Sequence, residues 1–108
     1  MNDREFQLRS DAALDALNRR LAGAADAYDF DPDLNNGALT IEFEQSGERF
    51  VVSPNAPVQQ IWISALTKSF KLDWDEARGA FVHPESGRTL DEQVLWAMQQ
   101  RLGPEFEY

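Results

Sequence analysis

The sequence predicts an α+β fold: one antiparallel sheet, with an N-terminal and a C-terminal helix packed on the same face as a two-layer α/β sandwich. Apolar residues recur at helical spacing near both ends of the chain. Between those ends they alternate with polar residues in short runs separated by turn signals. The runs follow one another with no helix between them, so neighbours join through tight turns into a meander, and both helices are left to cover one face. At 108 residues, 43% of them hydrophobic, the chain suits a single domain over residues 1–108 with one core.

The first helix is expected over residues 3–22. Asn2 followed by Glu5 has the form of a capping box, and Phe6, Ala13, Leu14, Leu17 and Leu21 recur along one face. The polar side carries Asp11, Asp15, Asn18 and Arg19, with the two acids one turn apart, and Gly23 is read as the stop. A hairpin follows from Ala27 to Gln45. Tyr28, Phe30 and Leu34 alternate with Asp29, Asp31 and Asp33, and Leu39, Ile41 and Phe43 alternate with Thr40, Glu42 and Glu44. Asn36-Gly37 between them is the preferred pair for a two-residue turn whose central residues both need positive φ. That turn sets a register of Leu34 against Leu39, Asp31 against Glu42, Phe30 against Phe43 and Asp29 against Glu44. Pro32 cannot donate a ladder hydrogen bond, so this first strand belongs at a sheet edge.

Further strands are expected at Phe50–Ser53, Val58–Leu66, Phe70–Trp74 and Ala80–His83. Pro54 to Pro57 reads as a break, and Asp75–Gly79 and Pro84–Gly87 as turns. In Val58–Leu66, Ile61, Ile63 and Ala65 point to the core while Gln60, Trp62 and Ser64 point away. Trp62 is then either an interface anchor or a cover for the sheet. Thr89 with Glu92 opens the last helix, Val94, Leu95, Met98 and Leu102 form its buried stripe, and Gly103-Pro104 stops it. The tail aromatics Phe106 and Tyr108 are expected to pack against the helices.

Composition narrows the chemistry. There is no cysteine, which removes disulfides, thiolate metal sites and a cysteine nucleophile. A net charge of −9 disfavours nucleic acid and anionic lipid and favours cations or basic proteins. No apolar run approaches the length of a membrane span, and the opening Met-Asn-Asp-Arg-Glu-Phe resembles neither a signal nor a transit peptide. The one histidine, His83, is read as a solvated or capping side chain. Asp29-x-Asp31-x-Asp33 starts like an EF-hand loop, but Leu34 and Thr40 stand where glycine and glutamate are required.

What remains is a row of carboxylates. Like charges opposite one another across strands cost stability, so the acids of the hairpin suggest a surface site for a hard cation such as Mg²⁺, Ca²⁺, Mn²⁺ or iron, or for a basic partner. A merely solubilising acidic surface is the alternative.

Pro57-Val58-Gln59-Gln60-Ile61-Trp62-Ile63-Ser64, with Asp31-x-Asp33-x-Asn35-x-Gly37-x-Leu39-Thr40 before it and Ser86-Gly87-x-Thr89 after it, resembles the frataxin family, of the bacterial CyaY type. The resemblance covers nearly the whole chain. It implies a cytoplasmic, monomeric protein that binds iron (Fe²⁺ and Fe³⁺) weakly on an acidic ridge and regulates iron–sulfur cluster assembly by docking on the cysteine desulfurase and its scaffold protein. By position the ridge comprises Asp11, Asp15, Asp26, Asp29, Asp31 and Asp33, with Glu42 and Glu44 as additional acids. The partner face comprises Asn55, Gln60 and Trp62. Ala22-Gly23-Ala24-Ala25 is neutral where relatives often carry acids. Two rival functions stand beside this one: a metal-independent interaction module, and a weak ferroxidase.

Overall fold

Asn2 caps the first helix as expected: its side-chain oxygen accepts from the Glu5 N–H at 2.8 Å. The computed structural model describes residues 1–108. In it this helix, α1, runs Asp3–Tyr28, well past Gly23. The stripe explains why. Ala24, Ala25 and Tyr28 continue the spacing of Leu17 and Leu21 and pack on the core, while Gly23 falls on the solvent side, where an interior glycine is tolerated. The helix ends instead at Asp29, in the left-handed region (φ 57°), with its N–H bonded to the Ala25 carbonyl.

The sheet has six strands in sequential order, all antiparallel: β1 Phe30–Asn35, β2 Ala38–Phe43, β3 Arg49–Asn55, β4 Gln60–Ala65, β5 Lys68–Asp75 and β6 Ala80–Val82. Asn36 and Gly37 both have positive φ, and Leu34↔Leu39, Asp31↔Glu42 and Phe30↔Phe43 pair as the turn requires. β1 is an edge, as Pro32 demands. The second helix, α2, spans Leu90–Leu102, with both arms of the Thr89–Glu92 capping box formed.

Several boundaries differ from the sequence reading. Pro54 does not break β3, which continues to Asn55. Its last pairing to β2 is Val52↔Leu39, so Pro54 lies where only β4 is beside the strand. Val58 is not in a strand: Ala56–Val58 form a single 3-10 turn around Pro57, whose fixed φ suits it, and β4 starts at Gln60. Leu66 is in the β4–β5 turn rather than in β4. Leu66 and Thr67 both have positive φ, at 57° and 60°, without glycine or asparagine to announce it. Thr67 is exposed, and a β-branched residue there is strained. Thr67→Gly is therefore expected to raise stability by roughly 0.5–1 kcal/mol, read as a higher urea midpoint at unchanged slope.

The core lies between the helices and one sheet face. Leu14, Leu17 and Leu21 of α1, Val94, Ala97 and Met98 of α2, and Leu39, Ile41, Val52, Ile61, Ile63 and Leu72 of the sheet are all fully or nearly fully buried. In α2 the buried stripe is Leu90, Gln93, Val94, Ala97 and Met98, with Leu95 and Leu102 only half-buried. The tail docks: Phe106 is fully buried, and the Tyr108 hydroxyl donates to the Asp91 carbonyl. His83 is not solvated. It is 8% exposed, with Nδ1 2.7 Å from the Ser86 hydroxyl and its ring edge-on to Phe70.

Candidate functional site

The alternation that buries Leu39, Ile41, Ile61 and Ile63 turns the intervening residues onto the sheet face that carries no helix. Registers then build that open face row by row. Asp33 pairs with Thr40 and Thr40 with Val51, while Asp31 pairs with Glu42 and Glu42 with Arg49. Ser53 pairs with Trp62 and Trp62 with Lys71, while Asn55 pairs with Gln60 and Gln60 with Asp73. The acidic end of the face and the Trp62 end are three strand spacings apart, about 14 Å.

The predicted acids fall into three groups. Asp31 and Asp33 are exposed on β1 and line a shallow hollow of about 200 Å³ with Thr40, Glu42 and Arg49. Neither forms an ion pair; Glu42 does, with Arg49 at 3.1 Å. Asp11 and Asp15 of α1 line a second hollow, of about 320 Å³, with Leu14, Leu34 and Gly37. Asp11 accepts weakly from the Gln7 amide at 3.3 Å, and Asp15 is paired with Arg19. Asp26 and Asp29 sit in and just after the last turn of α1, where no basic residue offsets them and the helix dipole disfavours negative charge.

Asp29 thus leaves the alternating row that its sequence position suggested. It closes a helix, and it reaches Glu44 only through the backbone, its carbonyl accepting the Glu44 N–H at 3.0 Å. Glu44 lies beyond the end of β2 and is exposed. No three acidic or histidine side chains converge closely enough to enclose a metal ion. The hollows therefore offer one or two carboxylates each to a cation that keeps most of its water.

The Trp62 end is more ordered. The indole N–H donates to Gln60 Oε1 at 2.9 Å, and Gln60 Nε2 donates to Asp73 Oδ1 at 2.9 Å. Lys71 Nζ stands 4.8 Å from the centre of the Trp62 ring. Asn55 shares the row of Gln60. The half-buried indole is held on the open face by these neighbours. Sequence reasoning did not find Lys71 and Asp73. Only the β4–β5 register, set by a turn with no sequence signature, brings them beside Trp62 and Gln60.

Together these features describe a small acidic protein with one sheet face left free of helices, acids along its β1 rim and a Trp62–Gln60–Asp73 relay toward its other side. The chain belongs to the frataxin-like family: residues 1–104 match the family model for a frataxin-like domain. It is 35% identical over 97 residues to the iron–sulfur cluster assembly protein CyaY of Pseudomonas aeruginosa, covering 88% of this chain and 89% of the relative. The protein of the same name from Azotobacter vinelandii is 31% identical over 97 residues, covering 88% and 87%. In fold the chain resembles a frataxin from Psychromonas ingrahamii, with a TM-score of 0.80, 23% identity and coverage of 94% and 91% of the two chains.

Proposed function

We propose that this protein is a cytoplasmic accessory factor of iron–sulfur cluster assembly. It holds iron loosely on its acidic rim and docks, as a monomer, on the cysteine desulfurase and its scaffold. The observation that carries this reading is the unpaired state of Asp31 and Asp33 on an open face they share with Trp62, in a chain whose relatives bear the name of iron–sulfur cluster assembly proteins. Carboxylates that form no ion pair, because the one arginine beside them is taken by Glu42, attract Fe²⁺ or a basic protein surface alike in a chain of net charge −9. Because the donors do not converge, the iron is exchangeable cargo rather than a fixed centre. The half-buried Trp62, on the face that carries no helix, supplies the apolar anchor that a specific docking surface needs.

The test is an NMR titration with Fe²⁺, followed by the desulfurase. Amides around Asp31 and Asp33, and then Asp11 and Asp15, should broaden first with iron. In the double variant Asp31→Asn/Asp33→Asn the β1 response should disappear while that of α1 persists. Iron-induced broadening unchanged in the double variant would overturn the β1 assignment. The lack of any three-carboxylate cluster also favours a second reading, in which the acids serve only to dock a basic partner and metal is incidental. In that case the desulfurase is bound and regulated equally well with iron chelated.

A further inference from the structure

β6 covers only part of β5. It pairs Val82, Phe81 and Ala80 with Asp73, Trp74 and Asp75, and then leaves the sheet, the His83 N–H turning to the Arg88 carbonyl at 2.8 Å. The outer edge of β5 from Lys68 to Leu72 has no strand beside it. A notch of about 440 Å³ runs along this edge, lined by Lys68, Ser69, Phe70, Lys71, His83 and Glu85. It straddles the sheet. Phe70 faces the helix layer, its ring 5.6 Å from that of His83 and 5.9 Å from that of Trp96. Ser69 and Lys71 stand on the open face, opposite Ser64 and Trp62.

Lys68 and Lys71 are the only lysines in the chain, and neither forms an ion pair although the chain holds 19 acids. We infer that the free edge of β5 is a strand-addition site for an extended acidic segment of a partner protein. Unpaired backbone groups along an edge are a template for another strand, and lysines at such an edge turn away neutral and basic ones. An acidic strand meets the same lysines as partners, which makes them a filter rather than a barrier. Lys68 points to the helix side and Lys71 to the open side, so the matching segment carries acids on both its faces, with a small or apolar residue beside Phe70. The other edge of the sheet is unsuited to this use, because Pro32 interrupts the donors of β1 and Asp31 and Asp33 flank it.

The probe is a short blocked peptide, Glu-Val-Glu-Asp-Val-Glu, compared with a version in which every acid is lysine and one N-methylated at alternate residues. The acidic peptide should shift the amides of Lys68–Leu72 and slow their hydrogen exchange. The joint variant Lys68→Glu/Lys71→Glu should weaken binding by about tenfold or more, with a matching loss on raising salt. N-methylation should weaken it similarly, because it removes ladder donors without touching charge. Equal binding of the lysine peptide, indifference to N-methylation, no binding at millimolar peptide, or shifts confined to the Trp62 face would each overturn the proposal. Sedimentation showing that copies of the chain pair through this edge would do so as well.

Discussion

Phe106→Ala is expected to cost about 3–5 kcal/mol, a large part of the stability of a domain of this size. Phe106 lies near the end of the chain, where truncation is commonly harmless, but here its ring is fully buried. It stands 4.8 Å from the Tyr28 ring and 5.9 Å from both Phe30 and Tyr108, edge-on in each case. It thereby joins the last turn of α1, the first residue of β1 and the tail. The backbone is held as well, since Gln99 Nε2 donates to the Phe106 carbonyl at 3.1 Å. Tyr108 fastens the end to α2 through its hydroxyl, which burial, aided by the Asp91 carboxylate, holds in its neutral, proton-donating form well above the ordinary titration range of a phenol. A urea melt should show the loss directly, and hydrogen exchange should show Ala25–Tyr28 opening first. The acids Asp26 and Asp29 sit on that same turn, so the variant should also blur any cation response there. A loss under about 1 kcal/mol would mean that the tail is undocked in solution.

The architecture was readable because its signals are local and redundant. Asn36-Gly37 specified a turn, and the turn specified a register that placed Asp31 opposite Glu42 and Phe30 opposite Phe43. Thr89 and Glu92 marked the start of α2 by chemistry that works over three residues. The misreadings have the opposite character. Gly23 carries a stop signal, yet the burial of Ala24, Ala25 and Tyr28 on the core outweighs the roughly 1 kcal/mol that glycine costs inside a helix. Pro54 reads as a break until the end of β2 is known, because what matters is which neighbour the missing N–H would have met. Leu66-Thr67 contains no turn residue and is forced into positive φ by the strands on either side. At the site the same division holds. Alternation placed Trp62, Asp31 and Asp33 on one sheet face, helical spacing placed Asp11 and Asp15 together, and Asp26 entered only through the family resemblance; the dispersal of the acids into separate hollows, and the Lys71 and Asp73 beside the indole, are products of tertiary placement.

If the protein docks as proposed, Trp62→Ala should leave a folded protein that binds the desulfurase–scaffold complex at least about 30-fold more weakly, a loss of about 2 kcal/mol or more. The fold should survive because the indole lies on the sheet face opposite the core, and its partners on either side, Ser53 and Lys71, belong to that same face and not to the core. The binding loss is large for a different reason. The relay from the indole N–H through the Gln60 amide to the Asp73 carboxylate fixes the ring before any partner arrives, so ordering it costs little on association. Since Gln60 already consumes the indole N–H, Trp62 has apolar ring surface to offer a partner and no free donor. Trp62→Phe should consequently retain affinity to within about fivefold, while Trp62→Ala does not. Gln60→Ala should fall between them, by releasing the rotamer without removing the surface. Calorimetric titration of all three variants, with melts run in parallel, separates the contributions. Full affinity in a folded Trp62→Ala protein would move the docking surface off β4 altogether and leave the acidic rim as the sole point of attachment.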